Sequence, residues 1–469
     1  MSNQTMINNQ GTWRELLTGP LAPIAAVLAG GVLIEASNVY LTTSLLPTIV
    51  EQIGGIEFYA WTMTAFLVAS VIMAMLVGRL LTTQGAVRSY LLALGLFAVG
   101  SLISAAAVAM PMLLVGRAVQ GLGGGLLAGL GYALIQRTLP ERLWTRAAAL
   151  VSAMWGIGNI IGPVVGGLFG QFGAWRAAFI VLAAISVALA GVVLRSMPRT
   201  ERSASKEAVP VGSLVLLTTA VAAVSVASIL PSLVATVVVV LIGAGLTVAF
   251  LAWERRSRSA VLPKLVFEAR SPLKWVYLAV AVLAFGIGTE AFLPLFGQEI
   301  GGLDPLIAGL LGAALSFGWS LTQMISAGAR TGRVRLLITA GPLLLATGLL
   351  AYGLLQREDA GAVLIAGWFV TLFAAGAGIG MAFPHLTVAA LGSTSDEEQG
   401  AKAAAAINTV LIIANAFSAA LAGVLVNLGS PSIIRSAQLL MIVFAVIIAI
   451  GAIPARRAVR PAEVASGSD

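Results

Sequence analysis

Cysteine is missing from all 469 residues, and histidine occurs once, as His385. Without thiols the chain forms no disulfide framework, no thiolate metal site and no Cys nucleophile, and a single imidazole does not build a His-based zinc site. Charge is equally scarce: Asp, Glu, Lys and Arg make up 10% of the chain against 59% hydrophobic residues, and the mean hydropathy is +0.99. A soluble domain carries about 25% charged residues, so this chain cannot coat a water-facing surface of its size. The same poverty of Cys, His and metal-ligand clusters argues against a membrane enzyme. What is abundant is apolar sequence, and the class it implies is a polytopic membrane protein.

Apolar runs of about 20 residues, the length that crosses a bilayer as a helix, number fourteen. Six fall in residues 21–195, two in 211–253 joined only by Pro231-Ser232, and six in 275–454. Polar or charged linkers at 196–210 and 254–274 separate these groups, and tails at 1–20 and 455–469 flank them. The expected architecture is all-α, with fourteen transmembrane helices in a 6+2+6 order: two six-helix bundles and a central two-helix hairpin. The hairpin has almost no polar residue beyond Ser and Thr, which suggests lipid exposure. The first 20 residues lack the basic n-region and apolar core of a secretory signal, so the first helix is expected to be its own insertion signal.

The net charge of +8 is explained by topology rather than by nucleic acid. With the N-terminus in the cytoplasm, every Lys and Arg except Arg117, Arg176, Arg357 and Arg435 falls on the cytoplasmic face. That is the bias basic residues impose on short loops. An integral, multi-pass plasma (inner) membrane protein with both termini cytoplasmic is the expectation.

Gly158, Gly162 and Gly166 recur every four residues around Pro163, with Gly167 following. The spacing strips one helix face of side chains, and Pro163 removes a backbone donor. In water each interior Gly would cost up to about 1 kcal/mol and Pro about 3 kcal/mol; in a bilayer, neighbouring helices re-satisfy the backbone. This is a helix for close contact and bending.

An ionisable group inside a bilayer is expensive and marks function by default. Four stand out: Glu35, Arg117, Glu290 and His385. Glu35 and Glu290 are each a group whose charge can change as a proton is taken up or released; the alternative for each is a structural polar contact. His385 is a weaker candidate, a lone His beside Pro384. Trp155 and Trp319 lie within spans and offer rings for an aromatic or cationic ligand or for helix packing. Asn38, Asn159, Gln323, Asn408 and Asn415 either line a polar cavity or bond between helices.

Helix four reads Gly116-Arg117-Ala118-Val119-Gln120-Gly121-Leu122-Gly123, and helix five reads Gly158-x3-Gly162-Pro163-x2-Gly166-Gly167, followed by Trp175-Arg176-x2-Phe179. In these motifs the chain resembles the fourteen-span drug:proton antiporters of the major facilitator superfamily. The resemblance implies that Arg117 holds a field on a nearby carboxylate, with Gln120 and Gly121 in its motif. It also implies that the Gly-Pro stretch of helix five is mechanical and lies against the second half. Two departures matter. Thr82 and Thr83 stand where the family has Asp and Arg in the loop after helix two, and Asn38 stands where an Asp is usual. Glu35, three residues before Asn38 and on the same face, is the candidate to replace that Asp.

The resemblance implies a proton-coupled antiporter exporting amphipathic or hydrophobic small molecules, by drug efflux and alternating access. A lipid or envelope-precursor exporter and a small-solute uptake carrier are the alternatives. A non-transporting receptor or assembly factor fits less well, because no large loop domain is present. No cofactor is expected beyond the proton gradient as energy source. The expected partners are protons, a small amphipathic substrate and the lipid bilayer, without nucleic acid, and the chain is expected to be a monomer.

Overall fold

The structure is a computed structural model that describes residues 12–198, 210–230, 232–257, 260–269, 271–327, 329, 331–358, 360–391, 393–394 and 397–458. The linker at 199–209 and most of both tails therefore lie outside it. Among the described residues there is no strand, and twelve helices are long and apolar enough to cross a membrane. One of these, Tyr59–Ala105, is two helices meeting at Gly85, whose φ of 78° breaks the spiral. Val211–Ala227 is apolar but shorter. Counting both gives the fourteen helices that the hydropathy predicts.

We label them α1 (Ala22–Ile53), α2 and α3 (59–84 and 86–105), α4 (Met110–Ala133), α5 (Trp144–Gln171), α6 (Trp175–Ser196), α7 (Val211–Ala227), α8 (Leu233–Arg256), α9 (Leu273–Gly288), α10 (Pro305–Ser326), α11 (Thr331–Leu354), α12 (Ala362–Leu391), α13 (Glu397–Gly429) and α14 (Ile433–Ile450). Two compact units result. The first holds α1–α6 and residues 303–313; the second holds α7–α9, the rest of α10, and α11–α14.

Each unit is built on a glycine ladder. In α4, a Cβ on Gly121 or Gly125 would run into the backbone carbonyls of Phe66 or Ser70 on α2, and one on Gly123 would lie 2.5 Å from Phe97 N on α3. The second unit repeats the device in α12. Gly376 and Gly380 press on the carbonyls of Leu315 and Trp319 in α10, and a Cβ on Gly378 would lie 2.5 Å from Leu345 N in α11. Bare backbone lets three helices touch where lipid supplies no hydrophobic drive.

The glycine face of α5 is spent on α1. A Cβ on Gly158 would meet Ala36 Cβ at 2.6 Å, one on Gly162 would meet Tyr40 Cβ at 2.7 Å, and one on Gly166 would meet Leu41 Cα at 2.9 Å. The expectation that this face lies against the second half is corrected for these three glycines. Gly167 alone turns elsewhere, its Cβ position 2.6 Å from Leu306 Cα in residues 303–313.

Polar clasps tie the helix ends. Gln52 Oε1 accepts from Trp175 Nε1 at 2.8 Å and from Arg176 Nη1 at 3.2 Å, while Arg176 Nη2 donates to Ala107 O at 3.1 Å. Arg142 pairs with Glu15 of the short helix Trp13–Leu17. Its guanidinium hydrogen bond holds the Glu15 carboxyl below the ordinary value, so the pair stands at neutral pH and is lost as the pH falls through that lowered value. Thr82 and Thr83 donate to carbonyls of their own helix, at Arg79 O and Gly78 O.

The hairpin α7–α8 packs with the second unit. Asn427 donates to Ser228 O, while Leu233, Val234, Leu241 and Val248 remain exposed. Glu254, which the sequence places in a charged linker, is fully buried; it accepts from Ser213 Oγ and, at 2.7 Å, from Leu262 N.

Replacing Gly125 by Ala should destabilise the protein by about 1–3 kcal/mol, the usual cost of overpacking. Gly95→Ala, with open space around the added methyl, should leave stability unchanged or raise it by less than about 1 kcal/mol. Thermal unfolding of the two variants in detergent tests the ladder, and equal melting temperatures would count against it.

Candidate functional site

Glu35, Asn38 and Thr42 lie on one face of α1, and all three are buried. Opposite them, α4 offers Arg117 and Gln120 and then a gap at Gly121 and Gly124. The gap is what lets α1 and α2 close in. A Cβ on Gly124 would sit 2.9 Å from Phe66 Cζ and 3.1 Å from Glu35 Cγ.

Arg117 is fully buried, and every oxygen it bonds is neutral. Its Nη1 donates to Asn38 Oδ1 at 3.1 Å and to Gln120 Oε1, its Nε donates to Thr62 O at 3.4 Å, and its guanidinium lies 4.3 Å from the Phe66 ring centroid. Gln120 Nε2 donates to Ser101 Oγ at 2.8 Å, which fixes the amide, and Thr42 Oγ1 donates to Asn38 Oδ1 at 3.3 Å. Glu35 attracts Arg117 through space without a direct ion pair. The arrangement is therefore a permanent cation held by amides, with one carboxylate a helical turn away.

Arg117 thus reaches the side chain of Asn38 and the backbone of α2. Thr42, Thr62, Phe66 and Ser101 were not singled out by the sequence. Thr42 was legible, four residues after Asn38 on the same face; the other three belong to neighbouring helices and gave no local signal.

In the second unit α9 stops at Gly288. A 3-10 turn, Thr289–Ala291, and a short helix, Leu293–Glu299, follow it. Glu290 therefore sits in a break, although the apolar run 275–297 reads as one continuous span. Pro294 lacks an N–H to continue the ladder, and Gly286 and Gly288 weaken the turn before it. The carboxylate is buried, and Ser316 Oγ donates to its Oε1 at 2.7 Å.

Ser316, Trp319 and Gln323 share a face of α10. Trp319 Nε1 donates to Gln323 Oε1 at 2.8 Å, and the indole meets the Phe383 ring edge-on at 5.8 Å. His385 is buried on α12, its Nε2 without a partner, and among the described residues it bonds none of the other candidates. Trp155 is half-buried on α5. Asn159 Oδ1 and Asn415 Oδ1 are buried without partners, and the side chain of Asn408 lies outside the described residues.

Register sets the two units apart. Arg117 stands four residues before the first ladder glycine of α4; at the matching place in α12 stands Leu372, equally buried. The same helix packing thus tolerates an apolar residue there. Arg117→Leu should cost about 1–3 kcal/mol through the acceptors it strands yet leave a monodisperse protein. Aggregation on size exclusion would show instead that the guanidinium is needed to fold.

The family model described as the Major Facilitator Superfamily matches residues 28–411. A probable multidrug-efflux transporter of Mycobacterium tuberculosis is 44% identical over 456 residues, covering 96% of each chain. Among solved structures, a D-xylose-proton symporter superposes with a TM-score of 0.68 at 13% identity over 95% of this chain and 99% of that one. A bacterial homologue of the human lysosomal transporter Spinster gives 0.65 at 13% identity over 96% and 97%. At such identities the two structures speak for the fold alone.

Proposed function

The chain belongs to the Major Facilitator Superfamily of membrane transporters, and from that premise we propose that it is a proton-coupled antiporter exporting amphipathic or hydrophobic small molecules, drugs among them. It is a multi-pass membrane transporter and not an enzyme. The efflux reading is supported by the relative of nearly equal length that carries that description. The Arg117 cluster carries the coupling reading: a fully buried cation bound only to neutral oxygens, with a buried carboxylate, Glu35, on the next turn.

Charges a few ångströms apart interact strongly when water is excluded. A proton on Glu35 removes its attraction for Arg117, and release restores it. The gradient thereby biases one conformation over another, as coupling requires. Glu290, at the break after α9, is a second carboxylate able to take a proton or face a cationic substrate. Asn38, Trp319, Gln323, His385 and Trp155 are the proposed cavity residues. Gly158, Gly162, Pro163, Gly166 and Gly167 serve the motion, with Pro163 freeing a backbone carbonyl where α5 must bend. The inner membrane with both termini cytoplasmic is supported by the sidedness of Lys and Arg, and we take the working unit as a monomer that needs no cofactor beyond the proton gradient.

Reconstituted into liposomes, the protein should move a lipophilic dye faster when a proton gradient is imposed. Glu35→Gln should lower gradient-driven transport more than tenfold, and Glu290→Gln should lower it less. Dye transport indifferent to the gradient would remove the coupling claim, and full activity in Glu35→Gln would remove the residue.

A further inference from the structure

Three side-chain atoms around the junction of α1 and α4 are buried without a hydrogen-bond partner: Glu35 Oε2, Asn38 Nδ2 and Arg117 Nη2. Glu35 and Asn38 are neighbours on one helix face, and Arg117 Nη1 is 3.1 Å from Asn38 Oδ1. The Asn38 amide cannot turn to help itself. Its Oδ1 already accepts from Arg117 and Thr42, so Nδ2 must donate elsewhere. The residues carrying these atoms are 4%, 0% and 0% exposed, respectively.

We infer that the three atoms enclose one buried water, and that its hydrogen-bond count registers whether Glu35 carries a proton. The water accepts from Nδ2 and Nη2 with its two lone pairs and donates to the carboxylate, which satisfies all three. The inference rests on the proton-carrying role proposed for Glu35. When a proton joins Glu35 Oε2, that atom gains a donor and gives up one of its lone pairs, so the enclosed site holds one donor more and one acceptor fewer than before. A donor is stranded in a dry site, at the cost of an unmet buried hydrogen bond. The proton is thus read as a surplus donor between α1 and α4. Asn38 makes the count odd; an Asp there would add an acceptor and make it even again.

The other groups around Glu35 do not supply the missing acceptor. Arg117 is the charged group beside it on α4, α2 presents Phe66, and α3 presents Tyr90 one turn away at Gly31, its hydroxyl also buried without a partner and taken up by the second O–H of the water. The helices α5 and α6 carry no charged residue between Arg146 and Gln171 or between Arg176 and Arg195.

Infrared difference spectra of the protein in lipid, taken between acid and alkaline pH, test this directly. A water O–H band that shifts in H2(18)O should change together with the Glu35 carboxyl band, which Glu35→Gln identifies by its loss. Asn38→Leu should lose the water band and keep the carboxyl band. Asn38→Asp, of the same size and least disruptive to folding, should keep the water but lose its pH-linked change. A wild-type spectrum without an isotope-sensitive water band, or the same pH-linked band in both Asn38 variants, overturns the inference. Efflux that stays proton-driven in Glu35→Gln would defeat the coupling role while leaving the water band in place.

Discussion

A guanidinium that cannot be neutralised, placed where water is excluded, is the constraint around which the polar groups of the first unit are arranged. Arg117 stays charged in any protein environment, so its surroundings must provide oxygen. They do so from three helices: Thr62 O from α2, Asn38 from α1 and Gln120 from α4. Those bonds require the helices to approach closely, and the glycines at 121, 124 and 125 permit it. Function and packing share the same few residues, because the ladder that lets α2 and α1 close on α4 also excludes the water that would screen the charge.

The second unit shows what the ladder does without the cation. Its glycines at 376, 378 and 380 hold α10, α11 and α12 together around Leu372, with no buried arginine in that register. The two units use one packing solution for two purposes. One holds a permanent charge beside a titratable one, and the other holds a carboxylate at a helix break beside an aromatic face.

Much of this was legible in the sequence. The fourteen apolar runs follow from the length and hydropathy that a bilayer requires, and the Gly-Pro helix and the intramembrane ionisable residues follow from cost, because neither is kept in a membrane helix without a reason. Asn38 and Glu35 were legible as a pair because three residues separate them on a helix. What escaped was whatever depends on which helix lies opposite. The face of Gly158, Gly162 and Gly166 was visible, but not that α1 fills it; Glu254 reads as part of a charged linker because the donors it accepts from, Ser213 Oγ and Leu262 N, are brought to it only by the fold. The break at Glu290 was hidden because hydropathy averages over the turn where Pro294 and two glycines interrupt the helix.

The claim at the centre of this account is that Glu35 carries the proton that substrate displaces. Proton release on adding a dye substrate to purified protein in weakly buffered detergent measures it. Wild-type protein should release protons in proportion to the dye bound, and Glu35→Gln should bind the dye and release none. Equal release from both proteins would contradict the account.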